Sequence, residues 1–144
     1  MIGVNITGVR ELEISLGQLA GALPADIDKA ARQTSLAVQR HAVKSIMRGN
    51  PRGRQYKRGT KIHTASAAGQ APASDTGRLA GSILPPRRIA RGYEVGTNLD
   101  YGRYLEFGTR GGRILERPWL RPALDIERPK FIDRVRKLLK GKGL

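Results

Sequence analysis

The sequence predicts a small α+β domain with a long N-terminal helix, a small antiparallel sheet, a C-terminal helix and a long basic loop. Three observations lead to this prediction. Apolar residues recur at helical spacing over 27–46, the stretches 2–6 and 89–97 alternate apolar with polar residues, and 48–74 shows neither pattern. A length of 144 residues suits one domain. We therefore treat 1–144 as a single domain in which 48–74 forms an extended loop or arm.

The N-terminal segment contains two short elements. Ile2, Val4 and Ile6 alternate with small or polar residues, which predicts a strand that ends at Gly8. Apolar residues then follow helical spacing over 9–20, which predicts a first helix.

The second helix has the clearest pattern in the chain. Pro24 suits the first turn of a helix, and Asp26 and Asp28 suit the positive end of the helix dipole. The turn-forming run 49–51 ends the helix. The apolar stripe is rich in alanine, so a neighbouring element can approach it closely. The stripe consists of Ile27, Ala30, Ala31, Thr34, Val38, Ala42 and Ile46.

The segment 48–74 differs in kind from the segments beside it. It is rich in Gly, Pro, Ser and Ala, and no acidic residue appears in it before Asp75. Such a segment buries too little apolar surface to offset its ordering entropy, so we expect it to be mobile and to become ordered on assembly. Its basic residues are Arg48, Arg52, Arg54, Lys57, Arg58 and Lys61.

Several short elements are predicted in the second half. Asp75 or Thr76 is expected to cap a helix or strand over 78–84. Alternation predicts a strand over 89–97, and 101–107 is expected to form one or two helical turns before a glycine-rich loop.

The chain ends in a predicted amphipathic helix. Pro129 is expected to open this helix, and Lys137 and Lys140 complement its dipole near the C-terminal end. Its apolar positions are Phe131, Ile132, Val135, Leu138 and Leu139.

Charge is the strongest compositional signal. Lys and Arg number 27 against 12 acidic residues, which gives a net charge of +15. A charge of this size favours polyanions or acidic protein surfaces as partners. Cysteine is absent, which excludes disulfides and thiolate chemistry. No stretch approaches the roughly 18–20 apolar residues of a membrane span, and the N-terminus lacks a signal-peptide layout, so we expect no membrane partner and no export.

The candidate catalytic signals are weak. The Asp-Thr-Gly triplet at 75–77 matches a short aspartic-protease signature, but it follows a basic tract rather than an apolar strand, and that chemistry needs two paired carboxylates. His41 and His63 lack a carboxylate three or four positions away. The glycine-rich run 108–112 lacks the ending of a phosphate-binding loop. The sequence therefore predicts a protein that is not an enzyme and that uses no cofactor and no metal.

A constellation of four blocks lies in the second half. The blocks are Ala-Pro-Ala-Ser-Asp-Thr-Gly-Arg-Leu over 71–79, Ser-Ile at 82–83, Tyr-Gly-Arg-Tyr-Leu-Glu-Phe-Gly-Thr over 101–109 and Arg-Pro-Trp-Leu-Arg-Pro-Ala-Leu over 117–124. In this order they resemble the small tail-component family of long-tailed bacteriophages, described as tail-completion or head–tail joining proteins.

The resemblance implies a structural virion protein, made in the cytoplasm of the bacterial host and located at the neck of the tail. There a ring of six copies would join the head connector and the tail tube, in contact with the adjacent neck and tail-tube proteins. Tail-terminator and connector ring proteins are similarly small and remain alternatives.

The blocks also supply candidate assembly residues. Glu106 stands among apolar neighbours and is stable there only if it is paired, for which Arg110, Arg113 or an arginine of a neighbouring subunit is available. The alternative is a surface Glu beside a turn. Trp119 is either an interface anchor or the main aromatic core residue. The candidate assembly residues are Tyr101, Tyr104, Glu106, Phe107, Arg117, Trp119 and Arg121.

The basic tract has two functional interpretations. It tracks the phosphates of DNA that passes through the ring, or it binds acidic surfaces of adjacent rings. Tyr56 offers little base stacking, so the sequence favours protein contact somewhat. A rival from another class is a free nucleic-acid-binding protein, although no helix-turn-helix, RNA-recognition or zinc-finger signature is present.

Overall fold

A computed structural model describes residues 3–5, 13–15, 25–90 and 92–141. The predicted α+β class is confirmed, with a long helix in each half of the chain and short antiparallel strands between and before them. In chain order the elements are β1 (Gly3–Asn5), β2 (Glu13–Ser15), α1 (Ala25–Arg48), β3 (Gln55–Arg58), β4 (Lys61–Thr64), α2 (Arg78–Ser82), β5 (Arg87–Ile89), β6 (Gly92–Glu94), α3 (Asp100–Phe107) and α4 (Arg121–Gly141).

The main sheet joins strands near the N-terminus to strands at 87–94. Its strand order is β1-β2-β6-β5, and every pairing is antiparallel. The strand predicted over 2–6 is confirmed at Gly3–Asn5. The helix predicted over 9–20 is wrong at Glu13–Ser15, which form β2, while its other residues lie outside the described part of the chain. Glu13, Ile14 and Ser15 alternate in polarity, and pairing with the distant β6 outweighs the helical spacing of the flanking leucines.

Helix α1 confirms the predicted apolar stripe. Every residue of that stripe is buried, together with Ser35. The two buried hydroxyls are satisfied inside the helix, because Thr34 donates to the Ala30 carbonyl at 2.8 Å and Ser35 donates to the Ala31 carbonyl at 2.9 Å. The small side chains allow α4 to pack closely against α1, and β6 and α2 also contact it.

The core lies between α1, α4 and the sheet. Beyond the α1 stripe, its buried apolar residues come from α2, β6, the first half of α4 and the residues next to these elements. They are Leu79, Ala80, Ile83, Tyr93, Val95, Trp119, Leu120, Ala123, Leu124 and Phe131.

The start of α4 corrects the prediction that Pro129 opens the C-terminal helix. The helix begins at Arg121, and Pro122 occupies its first turn, where a missing N–H costs little. Pro129 lies inside the helix and cannot donate to the carbonyl of Asp125. Pro122 and Pro129 both suit the first turn of a helix. The helix starts at the earlier one, which allows the apolar residues at 123–124 to be buried in the core.

The shorter elements follow the predictions with two corrections. The helix over 101–107 is confirmed as α3, and 78–84 contains the helix α2. The N-cap of α2 is Gly77, not Asp75 or Thr76, and no side chain caps it. Asp75 pairs instead with Arg58. The stretch 89–97 is not one strand, because Ile89 ends β5 and β6 begins at Gly92.

The basic segment also needs a correction. We expected no regular structure in 48–74, but β3 and β4 pair as an antiparallel hairpin. Gly59 has a φ of 60°, while Thr60 has a negative φ, as in a two-residue type II′ turn. The Gly-Thr pair at 59–60 is a hairpin signal, but no apolar alternation accompanies it in the charged stretches on either side.

Candidate functional site

Four of the candidate assembly residues, Glu106, Phe107, Trp119 and Arg121, meet around one buried carboxylate. Glu106 on α3 is fully buried, at 0% exposure. Its Oε2 accepts hydrogen bonds from the backbone N–H groups of Trp119 at 2.7 Å and Leu120 at 2.9 Å. Its Oε1 accepts from the backbone N–H of Arg121 at 2.9 Å and from its guanidinium Nε at 3.1 Å. The carboxylate therefore faces the first turn of α4, where the helix dipole is positive.

Arg121 completes this site from the solvent side. Its Nη2 donates to the Glu106 carbonyl at 3.1 Å and to Glu116 Oε2 at 2.9 Å. Its guanidinium also lies over the Phe107 ring, 5.3 Å from the ring centre. Burial lowers the pKa of Arg121, but hydrogen bonding to Glu116 and the charge of Glu106 outweigh it and raise the pKa above its ordinary value. Glu106 is thus a buried, paired carboxylate, which is one of the two predicted alternatives, and its partner is Arg121 rather than Arg110 or Arg113.

Trp119 is a core residue, which is one of the two predicted alternatives. It is 1% exposed, and its indole N–H donates to the Gly102 carbonyl at 3.0 Å. Glycine is required at position 102 by Thr97, because a Cβ would stand 2.5 Å from Thr97 Cγ2, whereas its distance of 3.7 Å from the indole is an ordinary contact. The ring therefore fastens α3 to the start of α4 from inside the protein.

The loop 108–117 turns the chain back onto α3. Gly108 has a φ of 70°, and a Cβ there would lie 2.8 Å from the Ile114 carbonyl, so only glycine fits. Thr109 closes the loop, since its N–H donates to the Ile114 carbonyl and its Oγ1 accepts from the Ile114 N–H. Arg117 is half-buried, and its Nε donates to the Ser66 carbonyl at 3.2 Å. Arg117 thus links the third and fourth blocks to the base of the basic segment.

Both of the predicted assembly tyrosines lie on the surface. Tyr101 is 39% exposed and Tyr104 is 44% exposed. An open cleft of about 530 Å³ lies beside Tyr104, at the C-terminal end of α3. Its lining combines aromatic rings, backbone and two guanidinium groups, from Arg103, Tyr104, Phe107, Gly108, Thr109 and Arg110.

The basic hairpin forms a second exposed surface. We call residues 49–65, which include β3 and β4, the arm, and no residue of the arm is buried. Tyr56 and His63 are cross-strand partners whose rings meet edge to face, 5.3 Å apart. All six predicted basic residues, from Arg48 to Lys61, are exposed.

The base of the arm is fixed by hydrogen bonds that the sequence did not reveal. Gln70 Oε1 accepts from the backbone N–H groups of Arg52 at 2.9 Å and Ala67 at 3.0 Å, while its Nε2 donates to the Asn50 carbonyl at 3.2 Å. The Gly69 N–H donates to the Glu116 carbonyl at 2.8 Å. These bonds, with that of Arg117, connect the arm to the Glu106 site.

A second polar cluster joins the sheet to α1. The hydroxyl of Tyr93 donates to Asp28 Oδ2 at 3.0 Å, and Arg88 Nη1 donates to the same oxygen at 3.3 Å. Burial raises the pKa of Tyr93. The hydrogen bond to Asp28 and the negative charge of Asp28 raise this pKa further. The distance of 65 positions between the partners leaves no sequence signal for this contact.

His41 takes part in a smaller contact between α1 and α4. Its Nδ1 lies 3.4 Å from Glu127 Oε1 but makes no hydrogen bond, and Glu127 accepts instead from Lys130 at 2.7 Å. Within the described ranges, no three His, Cys, Asp or Glu residues are placed to hold a metal ion. None of the described helices is long and apolar enough to cross a membrane.

Comparison with known proteins adds no relative. No family model, no curated protein and no solved structure matches this chain.

Proposed function

We propose that this chain is a structural, non-enzymatic virion protein of a tailed bacteriophage, which joins or completes the tail at the head–tail neck as a subunit of an oligomeric ring. The proposal rests on the resemblance of the four sequence blocks and on how those blocks are used. Tail-terminator and connector rings are the alternative positions for such a subunit.

The observation that carries the proposal is the network around Glu106. The carboxylate of the third block receives four hydrogen bonds from the fourth block, and Trp119 returns one to Gly102. The polar groups of the constellation thus hold backbone in place, as a structural motif does. They fix α3 rigidly while Tyr101 and Tyr104 remain exposed on it. Exposed tyrosines on a rigid support suit an interface, because they give large contact area at little cost in conformational entropy.

A ring of such subunits needs anionic partners. Six copies at +15 each would carry +90, and exposed charge of one sign opposes close association. DNA in the lumen and carboxylates of the adjacent neck and tail-tube proteins are the two sources of negative charge in this setting.

Electron microscopy of particles produced without this protein tests the proposed function. Unjoined heads and tails would support a role in the neck, whereas normal virions would overturn it.

Complementation then locates the interface. The variant Tyr101→Ala/Tyr104→Ala should fold and fail to restore joining. The matched control, Ile126→Ala/Ile132→Ala, removes comparably exposed apolar side chains from α4 and should restore it.

A further inference from the structure

The net positive charge of this protein comes mostly from one continuous part of the chain, because acidic residues are absent from it. Between Asp28 and Asp75 there is no acidic residue, and ten basic residues fall in that interval. Three of them, Arg40, Lys44 and Arg48, repeat every four residues and therefore share one face of α1. Arg48 ends the helix, and the arm begins at the next residue. A cationic helix face thus leads directly into a cationic hairpin.

The arm is a two-stranded ribbon with cations on both faces. Residues opposite each other in an antiparallel pair point to the same face, and neighbours along a strand point to opposite faces. Arg58 and Lys61 are opposite each other and share a face with Tyr56 and His63, whereas Lys57 lies opposite Ile62 on the other face. In the described structure β3 and β4 pair only with each other, so their outer edges are not covered by a third strand.

This distribution of charge fits a nucleic-acid groove better than an acidic protein surface. A flat acidic surface contacts one face of a ribbon, so it reaches either Lys57 or the pair of Arg58 and Lys61 but not both. The major groove of B-DNA is about 12 Å wide, admits a two-stranded β-ribbon and has phosphates along both of its walls. A ribbon in that groove brings cations on both faces near phosphates.

Most of the arm's cations are not engaged within the subunit. Arg58 pairs with Asp75, but Arg52, Arg54, Lys57 and Lys61 form no ion pair with any residue in the described ranges. The hydrogen bonds of Gln70 and the turn at Gly59 already shape the hairpin, so binding requires little further ordering.

From these observations we infer that the arm binds the phosphate backbone of double-stranded DNA, entering a groove as a β-ribbon and showing little preference for base sequence. The inference deepens the proposed function, on which it rests for the origin of the DNA, by assigning DNA rather than an acidic neighbour as the arm's partner. Binding by one subunit is weak, and a ring multiplies it because its copies act on one duplex.

The test measures binding of the full-length chain to a 30-base-pair duplex of arbitrary sequence by fluorescence anisotropy, at several salt concentrations between 50 and 200 mM. The arm variant is Arg54→Gln/Lys57→Gln/Lys61→Gln. The control variant, Arg113→Gln/Lys137→Gln/Lys140→Gln, removes the same charge at exposed positions that do not belong to the arm. Circular dichroism of each variant verifies the fold.

The wild-type chain should bind with a dissociation constant of roughly 10⁻⁴ to 10⁻⁶ M at physiological salt, as sequence-independent binding does. Each phosphate contact contributes about 0.9 to the slope of log K against log salt, so the arm variant should lose about 2.7 from this slope. The control variant should retain most of the slope. Equal losses in the two variants would overturn the inference, because diffuse charge would then explain the binding. Absence of wild-type binding would also overturn it.

The two proposals can fail separately. If particles lacking the chain have unjoined heads and tails while the chain does not bind duplex DNA, the neck role stands and the arm's partner is an acidic protein. If virions form normally and the chain binds one DNA sequence at about 10⁻⁸ M or tighter, both proposals fail and the chain is a free DNA-binding protein.

Discussion

At the scale of single residues, Glu106 shows how this protein keeps a charge in its interior. An isolated buried carboxylate would cost several kcal/mol, and only hydrogen bonds and an opposite charge offset that cost. Glu106 obtains three backbone donors and one guanidinium, all from residues 119–121. Glu116 pairs with the same Arg121 from the surface, where its side chain is 57% exposed. The two glutamates therefore form a natural comparison.

We expect Glu106→Gln to lower the free energy of unfolding by about 3 kcal/mol, because the amide turns a donor toward backbone donors and leaves Arg121 without its buried partner. Thermal unfolding should show a decrease in Tm of roughly 6–12 °C. Glu116→Gln removes an exposed partner of the same arginine and should cost at most about 1 kcal/mol. Similar losses in the two variants would contradict the structural role assigned to Glu106.

Ionisation of Tyr93 is expected to lower the free energy of unfolding at alkaline pH. Its pKa is raised in the folded protein by burial and by Asp28, whereas in the unfolded chain it ionises near pH 10. Above about pH 10 the unfolded state therefore binds fewer protons at this position than the folded state, and the free energy of unfolding falls as the pH rises. Below that pH the contribution is fully present.

Urea unfolding between pH 8 and pH 11 should reveal this dependence. Tyr93→Phe should be less stable than the wild type by about 1 kcal/mol at pH 8, because the bond to Asp28 is lost. Its disadvantage should shrink above pH 10. The control Tyr101→Phe, in an exposed tyrosine, should follow the wild-type curve, and a constant gap between Tyr93→Phe and wild type would refute the argument.

At the scale of elements, the arm contrasts with α1. Eight buried residues hold α1, whereas no residue of the arm is buried and hydrogen bonds at its base carry most of its attachment. Elements with little buried apolar surface open locally at low free energy. We therefore expect trypsin to cut first within the arm, which is also what the charge and composition of 48–74 predict.

Replacing Gln70 with Ala should accelerate this cleavage without unfolding the domain. The change removes three hydrogen bonds to the arm's base, and a net loss of about 1.4 kcal/mol would raise the population of the open arm about tenfold. The population of the open arm is measured by the rate at which trypsin cleaves after Arg52 and Arg54. The control variant is Gln33→Ala, on the exposed face of α1. An unchanged cleavage rate would mean that Gln70 does not hold the arm.

The spacing of apolar residues along the sequence predicted α1 but not β2 or the hairpin. The α1 stripe repeats over five turns and meets no competing signal, so it was predicted residue by residue. Strand β2 was missed because three residues give too short an alternation to reveal pairing with β6. The hairpin was missed because neither of its faces is buried, so no apolar alternation marks it.

The candidate site was predicted in its chemistry but not in its partners. The apolar neighbours of Glu106 indicated that a carboxylate buried there would need a cation, with a surface Glu as the alternative, and one or two helical turns were predicted over 101–107. The choice of Arg121 over Arg110 depends on where the chain returns after Gly108, which no local pattern encodes. The hydrogen bonds of Gln70 and the Asp28–Tyr93 contact could not be predicted for the same reason, because each joins segments that only the complete fold brings together.

At the scale of the whole molecule, net charge governs assembly. At low salt a subunit of +15 repels its copies over roughly 10 Å or more, so the free protein is expected to stay monomeric until partners supply negative charge. Mass measurement of the isolated protein and of purified tails that carry it should find one copy in the first case and six in the second. A hexamer in isolation would rule out dependence on a partner, and one or two copies per tail would rule out the ring.

The long reach of the β2–β6 pairing has a consequence for how the protein is made. The pairing of Glu13 cannot form until Glu94 has been synthesised. Likewise, the apolar face of α1 cannot be covered by α4 until Phe131 has been synthesised. At a translation rate of about 5–20 residues per second, the ribosome needs on the order of ten seconds to proceed from the end of α1 to that phenylalanine. During this interval the nascent chain carries a completed helix whose alanine-rich face has no α4 to cover it. During synthesis that face is therefore open to contact with any other apolar surface, including the same face of a second nascent chain.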